Sequence, residues 1–298
     1  QDRALLYTAY ILKNNKSEEW IEIAENRLKE QVDFAFTDEM VHVENSPAYH
    51  IAVLPMFKTI SDFLIQFDDK FGFELYNEVK KSIEFLTYMT KPNGALAAIG
   101  DSSDETADGK EIIYSEERAQ NFDDAKYLYA STQGEEGEKP EKTSVFYPKS
   151  GYYISHNNWD NENYSNSTWM MFKSGYQSQT HKHSDDNSFM LYSKGKDIFV
   201  DPGWYNYNFG NRYRDYLVSS RAHNTVIVDG KTYSPTVENS YKVGIVDYGQ
   251  EQSYDYVVGF NDMYEGVQMD RYFYNLGDAI LIYDNIKSDN EHTYSQLF

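Results

Sequence analysis

The stretch GYQSQTHKHSDDNSFMLYSKGKDIFVDPGWYNY, residues 175–207, decides the fold class of this chain. Its middle holds two short apolar runs, FMLY and DIFV, separated by a Lys-Gly turn, which is typical of two antiparallel β-strands. The same stretch places His181 and His183, two of only 7 histidines, one residue apart beside acidic residues. Because side chains two apart share one face of a strand, we expect this pair to point at one site.

Short alternating runs rich in Tyr, Val, Ile and Phe continue on both sides of this stretch, from residue 146 to residue 298. Turn signals such as Asp229-Gly230 separate them, as hairpins require. Residues 146–298 are therefore predicted to form an antiparallel β-sandwich. We expect this sandwich to be incomplete at its C-terminal end, because the sequence stops on an apolar strand, EHTYSQLF.

The first hundred residues show a helical period instead. Four amphipathic stripes recur with short turns between them, which predicts stacked helical hairpins over residues 1–100; the stripes start at Leu5, Trp20, Val53 and Phe73. Residues 101–145 are polar and acidic, and we expect a linker or surface excursion with a weak helix near Glu116–Tyr129. Helices first and strands second make a segregated α+β protein.

Composition excludes several classes of function. The 48 acidic and 27 basic side chains give a net charge of −21, which argues against nucleic-acid binding, because phosphate affinity rests on clustered Lys and Arg. With no cysteine, a metal can be bound only by His, Asp and Glu. The sequence contains no run of 18 apolar residues, so no membrane-spanning helix is predicted. The chain begins inside a helix with no signal-peptide pattern, so we expect it to be cut from a longer parent.

Three groups at predicted strand ends form a candidate metal site. Asp201 ends the strand DIFVD, and His223 begins another strand in RAHNTVIV. Together with His183 they supply two imidazoles and a carboxylate, a first shell suited to Zn²⁺ and similar ions. The sequence therefore predicts one divalent ion at this site.

The stretch at residues 175–207, with RYRDYLVSSRAHNTVIVDG after it and ENSPAYH and GALAAIGDSSD in the helical half, resembles the heparinase II/III-like polysaccharide lyases. The resemblance implies the C-terminal part of an (α/α) toroid followed by an antiparallel β-sandwich. It also implies β-elimination of a uronic-acid polysaccharide, such as heparan sulfate or alginate, and a periplasmic or secreted location. An acidic polysaccharide is the expected partner.

The resemblance also assigns residues. Tyr49, in SPAYH, matches the family's catalytic tyrosine, and His181 matches its catalytic imidazole. His183, Asp201 and His223 match a structural metal site, for which zinc is the expected ion. We expect Tyr49 and His181 to act as acid and base from opposite sides of the sugar, with roles that exchange according to the configuration at C5. Local structure alone gives Tyr49 a simpler reading, since Ser46-Pro47 suits a helix start.

One family feature is missing from the sequence. The family's charge-neutralising Asn lies in an Asn-His-Gly stretch just before the helix that begins here as QDRALL, and this chain does not include it. We therefore expect the chain as given to be deficient in catalysis.

A net charge of −21 should repel a polyanion, so binding requires a local basic lining. The segment around the metal motif supplies the candidate substrate-binding residues Arg212, Arg214, Arg221, Tyr213 and Tyr216. Salt bridges to the abundant acidic side chains are the alternative role for these arginines.

Three other functions match parts of the sequence. A cupin-like metal protein is suggested by Gly175 and the His-x-His pair, but the carboxylate expected next falls at Asn187 or Ser188. A non-catalytic carbohydrate-binding sandwich would account for the tyrosines, yet it would not need Tyr49 within reach of His181. A glycoside hydrolase requires paired carboxylates across a cleft, and no such pair stands out in residues 1–100.

Overall fold

The computed structural model describes residues 1–103 and 120–298 of the chain. Four helices lie within residues 1–103, one for each apolar stripe: α1 (Asp2–Leu12), α2 (Ser17–Ala35), α3 (Pro47–Ile65) and α4 (Lys70–Met89). The first helix packs on the second and the third on the fourth, which makes two antiparallel hairpins. None of the helices in the described residues is long and apolar enough to cross a membrane.

In the fourth helix, the apolar stripe predicted from the sequence forms part of the hydrophobic core. Leu75, Val79, Ile83 and Leu86 are all buried, at the spacing that aligns side chains along one helical face. Asp69 caps the N-terminus by accepting a hydrogen bond from the Gly72 amide at 3.1 Å. The buried face therefore settles the orientation of α4 against the rest of the helical core.

Eleven strands follow within the described residues 120–298, and every strand pair among them is antiparallel. A five-stranded sheet has the order β1-β2-β3-β4-β5, a four-stranded sheet the order β10-β9-β8-β7, and β6 pairs with β11. The strands are β1 (Ser144–Tyr147), β2 (Tyr152–His156), β3 (Trp169–Lys173), β4 (Ser188–Ser193), β5 (Lys196–Phe199), β6 (Val226–Val228), β7 (Val243–Gln250), β8 (Asp255–Asn261), β9 (Val267–Asn275), β10 (Ile280–Ser288) and β11 (Tyr294–Gln296).

The five-stranded sheet is covered on both faces, so all residues of β2 and β3 are buried. One face, which includes Ile154 and Trp169, joins the core of the helical half. The opposite face, which includes Tyr153 and Phe172, packs against Phe273 of the four-stranded sheet. The helices and the sandwich therefore share one sheet, and the predicted α+β order of helices followed by an antiparallel sandwich is confirmed.

A second link joins the helices to this sheet at the end of α4. The carbonyl oxygen of Tyr88 lies in the last turn, where helical carbonyls lack partners within the helix. It accepts hydrogen bonds from the Trp169 indole at 2.8 Å and from the His156 imidazole at 3.0 Å. Side chains from two strands thus provide hydrogen-bond donors for a carbonyl oxygen at the end of α4.

Part of the predicted acidic excursion packs into the interior. The helix α5 (Ala125–Ser131) buries Tyr127, Tyr129 and Ala130 against the helical core. The predicted weak helix near Glu116–Tyr129 falls partly on residues 104–119, which lie outside the described residues.

Buried His156 makes stability depend on pH. Burial lowers its pKa to about 3, whereas an unfolded histidine titrates near 6.5, so the unfolded state binds the extra proton as pH falls. The stabilisation is complete above about pH 6.5 and is lost on acidification toward the folded-state pKa. Between pH 7 and pH 5 this one group should remove about 2 kcal/mol from the free energy of unfolding.

The variant His156→Phe tests this. It removes the titrating group and keeps a ring against Trp159, on which His156 stacks at 3.7 Å between ring centroids. The Tyr88 carbonyl keeps its bond from Trp169. Urea unfolding at pH 7 and pH 5 should show a smaller loss of stability in the variant, and equal losses in both proteins would contradict the assignment.

Candidate active site and adjacent metal-ligand cluster

Tyr49 lies in the first turn of α3, where Ser46 occupies the N-cap position and Pro47 the first helical position. The Ser46 hydroxyl does not cap the helix itself. It pairs with the Ser102 hydroxyl at 2.8 Å, and Ser102 Oγ accepts the hydrogen bond from the Ala48 amide at 3.1 Å. The GALAAIGDSSD segment thus caps the helix that carries Tyr49.

His181 and His183 lie in the connection between β3 and β4, so the prediction that they share a strand is wrong. His181 sits in a turn with a left-handed φ of 56°, and this conformation breaks the alternation of an extended strand. The two imidazoles consequently face different surroundings. Asp201 follows the end of β5, and His223 precedes β6 by a short extended segment.

The turn with His181 is tied to the start of α3. The Asn45 side-chain amide donates to the carbonyl oxygens of Ser178 at 2.7 Å and Thr180 at 3.1 Å. Gly100 lies between the two segments with a φ of 54°, and a Cβ there would come within 2.5 Å of Asn45 O and 2.7 Å of His181 O. Only glycine permits this approach of three backbone segments.

These links bring Tyr49 and His181 into contact. Their ring centroids are 3.6 Å apart at an interplanar angle of 81°, which joins the helical half to the sheet half at one point. The His181 side chain is 14% exposed, and Glu44 Oε2 lies 3.9 Å from its Nε2. A phenol and an imidazole at this distance can work on one small group placed beside both.

The electrostatics of His181 favour its neutral form. Burial lowers the pKa of His181, and the opposing effect of the Asp101 and Glu44 carboxylates is smaller. Neither ring nitrogen has a hydrogen-bond partner among the described residues. A neutral imidazole with free nitrogens can accept a proton near pH 7.

Tyr207 is a site residue that was not predicted from the sequence. Its hydroxyl lies 2.8 Å from the Tyr49 hydroxyl, and its ring centroid is 6.3 Å from that of His181. Burial raises the pKa of Tyr207, and the hydrogen bond with Tyr49 raises it further, so its phenol stays protonated and can donate to the Tyr49 oxygen. The quoted DPGWYNY contains this residue, but loop sequence has no periodicity from which its direction can be read.

His183, Asp201 and His223 form a second cluster, in which one ligand atom of each lies within 4.8 Å of the others. His223 Nε2 is 4.0 Å from Asp201 Oδ2, and the two imidazole rings stack at 5.6 Å. Both nitrogens of His223 and Nδ1 of His183 are buried without hydrogen-bond partners among the described residues. Unpartnered imidazole nitrogens beside a carboxylate are the donor set of a zinc-class ion, so these residues fit one.

Burial disfavours charge in this cluster. It raises the pKa of the Asp201 carboxyl and lowers the pKa of the His223 imidazole. A bound cation would offset the cost of burying the ionised Asp201 carboxylate.

Asp101 supports the cluster from the helical half and was not singled out from the sequence. Its Oδ1 accepts a hydrogen bond from His183 Nε2 at 3.1 Å, which leaves His183 Nδ1 for a ligand. Burial opposes ionisation, but this bond and the Arg214 guanidinium at 3.6 Å hold the pKa of Asp101 below its usual value. A carboxylate that orients a ligating histidine is typical of metal sites.

The Lys182 side chain, between the two histidines, points into the interior with none of its surface exposed. Its ammonium pairs with the buried carboxylates of Asp185 and, at 3.1 Å, Asp186. Asp186 also accepts hydrogen bonds from the Gly175 amide at 2.8 Å and the Tyr233 hydroxyl at 2.9 Å. This buried set fixes the turn that carries both histidines.

The five predicted substrate-binding residues occupy different environments. Arg214 is the one beside the site, since its guanidinium lies over the Tyr207 ring at 5.4 Å and donates to Asn206 O at 2.7 Å. Arg221 binds the Gly230 carbonyl through Nε at 3.2 Å and so closes a turn. Arg212, Tyr213 and Tyr216 are exposed on the short helix α6 (Arg212–Leu217). Their roles remain predictions.

Comparison with known families matches nearly the whole chain. The family model described as heparinase II/III-like, C-terminal, matches residues 139–298. The model described as heparinase II/III N-terminus matches residues 5–130.

Curated relatives are called heparin-sulfate lyase. One from Bacteroides stercoris is 27% identical over 201 residues, covering 65% of this chain and 29% of that protein. Another, from Pedobacter heparinus, is 23% identical over 231 residues, covering 75% of this chain and 34% of that protein. The chain thus spans about a third of the length of these relatives.

Solved structures show the same fold. The heparan sulfate lyase HepC from Pedobacter heparinus matches with a TM-score of 0.82 at 19% identity, over 97% of this chain and 45% of that one. A heparinase III structure matches with a TM-score of 0.75 at 20% identity, over 98% of this chain and 47% of that one. The predicted toroid part followed by a sandwich is therefore confirmed.

The close approach at Gly100 yields a stability test with a matched control. Gly100→Ala places a Cβ within 2.5 Å of Asn45 O, whereas Gly210, also at positive φ, has nothing within 4 Å of such an atom. Both variants strain the backbone, but only Gly100→Ala forces segments apart. Urea unfolding should show a loss about 1–3 kcal/mol larger for Gly100→Ala than for Gly210→Ala. Equal losses would contradict the packing described at Gly100.

Proposed function

This chain belongs to the heparinase II/III-like family, and on that premise we propose that the protein is a polysaccharide lyase that cleaves a uronic-acid polymer of the heparan sulfate type by β-elimination. The observation that carries the proposal is the 3.6 Å contact between Tyr49 and His181. A carbohydrate-binding sandwich would have no use for a tyrosine delivered from the helical half. The names of the relatives, heparin-sulfate lyase, favour the substrate class.

The reaction divides between the two side chains. β-Elimination removes the proton on C5 of the uronate, forms the C4–C5 double bond and expels the O4 oxygen, which must be protonated. His181, neutral by burial, accepts a proton, and the Tyr49 phenol donates one. For the opposite C5 configuration the roles exchange: the Tyr49 phenol first passes its proton to His181, and the Tyr49 phenolate, stabilised by the 2.8 Å hydrogen bond from the Tyr207 hydroxyl, accepts the C5 proton. The His181 imidazolium then returns its proton to the departing O4 oxygen.

The uronate carboxylate must also be stabilised, because acidity at C5 rises as negative charge on that group is offset. Arg214 supplies a cation beside the Tyr49–Tyr207 pair. Its guanidinium is positioned by Asn206 O, and its side chain is 13% exposed. We assign Arg214 to the substrate carboxylate, alongside the Asn that the family carries before the first helix.

His183, Asp201 and His223 are proposed to bind one divalent ion of the zinc class, with Asp101 orienting His183. Such an ion would act structurally: it would fasten the β3–β4 connection, the end of β5 and the segment before β6 to one another. This would keep the turn with His181 in place and leave proton transfer to the side chains.

The first test is activity of the full-length protein on heparan sulfate, hyaluronan, chondroitin and alginate, followed by ultraviolet absorbance of the new conjugated double bond. Tyr49→Phe and His181→Ala should each reduce the rate by at least about a hundredfold, the contribution of one proton-transfer group. The control is Tyr241→Phe, a tyrosine 74% exposed on another segment, which should keep the parent rate. A Tyr49→Phe protein with undiminished turnover would exclude the phenol as acid or base.

The second test is metal analysis of the full-length protein by mass spectrometry after dialysis. One ion per chain is expected, and His223→Ala should lose it together with thermal stability, because an ion bound only by the folded state adds about 4 kcal/mol when present at a thousand times its Kd. His292→Ala, at the surface and bonded to Asp229 at 2.9 Å, should retain the ion. A parent protein with no bound metal would remove the assignment of all three ligands.

A further inference from the structure

A group of large aromatic side chains stands exposed in the connection between β5 and α6 and in the first turn of α6. Trp204 is 40% exposed, Tyr205 46%, Phe209 89% and Tyr213 54%. We call these four residues the aromatic platform. Several large apolar side chains exposed in one short segment are more typical of a binding site than a single exposed ring is.

The platform adjoins the proposed site of reaction. The Trp204 and Tyr207 ring centroids are 5.8 Å apart, and the Tyr207 hydroxyl bonds the Tyr49 hydroxyl at 2.8 Å. Tyr205 and Tyr213 pair at 6.3 Å. A chain molecule with one unit placed beside both Tyr49 and His181 would therefore meet these rings with its neighbouring units.

Two guanidinium groups lie among the rings. Arg212 covers the Tyr213 ring at 4.6 Å, and Arg214 lies 5.5 Å from the Phe209 centroid. In a chain of net charge −21, a surface that combines arginine with exposed rings suits an anionic ligand with apolar faces. A uronate-containing saccharide has this chemistry, with C–H faces on each ring and a carboxylate at its edge.

The backbone at the start of the platform, Gly203–Trp204, is held against the Ser102 carbonyl. The Trp204 amide donates to Ser102 O at 2.7 Å. Gly203, at a φ of 59°, approaches the same oxygen so closely that a Cβ would lie 2.4 Å from it. A site built on such a segment loses little conformational entropy on binding.

We propose that the aromatic platform is a saccharide-binding subsite, which stacks on sugar rings of the polymer next to the bond that is broken. This rests on the proposed function, because it takes the polymer to run from the Tyr49–His181 contact across Tyr207. The platform supplies affinity and register, and the reacting groups remain those already described.

The experiment uses full-length protein carrying Tyr49→Phe, so that the ligand is not consumed, and titration calorimetry with a heparan sulfate decasaccharide. Phe209→Ala and Trp204→Ala should each weaken binding about three- to tenfold, the effect of one lost stacking contact. Phe34→Ala is the matched control, since Phe34 is 83% exposed on α2. Phe209→Tyr keeps the ring and should bind like the parent, which separates stacking from misfolding.

The salt dependence of binding distinguishes the contribution of the aromatic rings from that of the charged groups. The loss in Phe209→Ala should be the same at low and high ionic strength, whereas the loss in Arg212→Gln should shrink as salt rises. In protein with Tyr49 intact, Phe209→Ala should raise KM for the polymer and leave kcat nearly unchanged, because stacking precedes the chemical step.

The two proposals fail differently. Unchanged Kd and KM in both platform variants, in a protein that forms unsaturated product, overturn the platform and leave the lyase intact. Unchanged Kd with a lowered melting temperature also overturns it, since the rings then pack against another part of the full-length chain. Binding that depends on Phe209 in a protein with no lyase activity supports the platform and refutes the proposed function.

Discussion

The approach of three backbone segments around Gly100 is the constraint on which the candidate site depends. One segment leads into α3 and Tyr49, one carries His181, and Gly100 itself precedes Asp101, which binds His183. Because carbonyl oxygens stand where a Cβ would be, the segments can meet only at a glycine. The amide of Asn45 adds directed hydrogen bonds across the same contact. Tyr49 and His181 are thus placed by backbone geometry, which is stiffer than side-chain packing alone.

A buried ionic group gives the turn its second fixed point. Lys182, Asp185 and Asp186 are almost entirely buried, and burying charge is costly unless every charge is paired and hydrogen-bonded. Here Asp186 is bonded by a backbone amide and a tyrosine hydroxyl as well as by lysine. Such a group has few alternative arrangements, since any shift of Lys182 would leave two carboxylates unpaired. Its role in the turn is positional: it keeps the flanking histidines directed to two different sites.

The sequence predicts the fold well and the site in part, for physical reasons visible in particular residues. Apolar periodicity identifies α4 through Leu75, Val79 and Ile83 because a helix that buries one face must show it. The prediction that His181 and His183 share a strand was wrong because the left-handed φ at His181 is set by contacts distant in sequence. Tyr207 and Asp101 were not predicted as site residues for the same reason: each lies in a loop without periodicity, and its partners come from other elements. The resemblance in sequence motifs identified Tyr49 and His181, whereas the contact between them could be seen only in the folded structure.

A net charge of −21 opposes the binding of an anionic substrate, but this repulsion acts only over a short range in salt solution. Charges in solution at physiological salt act over about 8 Å, so the many surface carboxylates elsewhere in the chain are largely screened from a bound polymer. Beside the Tyr49–Tyr207 pair lie the Arg214 guanidinium and the exposed ring of Trp204, and Arg212 covers the exposed Tyr213 ring. Rings attract a sugar without regard to ionic strength, and two guanidinium groups are enough to favour the carboxylate orientation. A protein that is acidic as a whole can therefore still present a surface on which exposed rings and arginine side chains suit the proposed acidic polysaccharide.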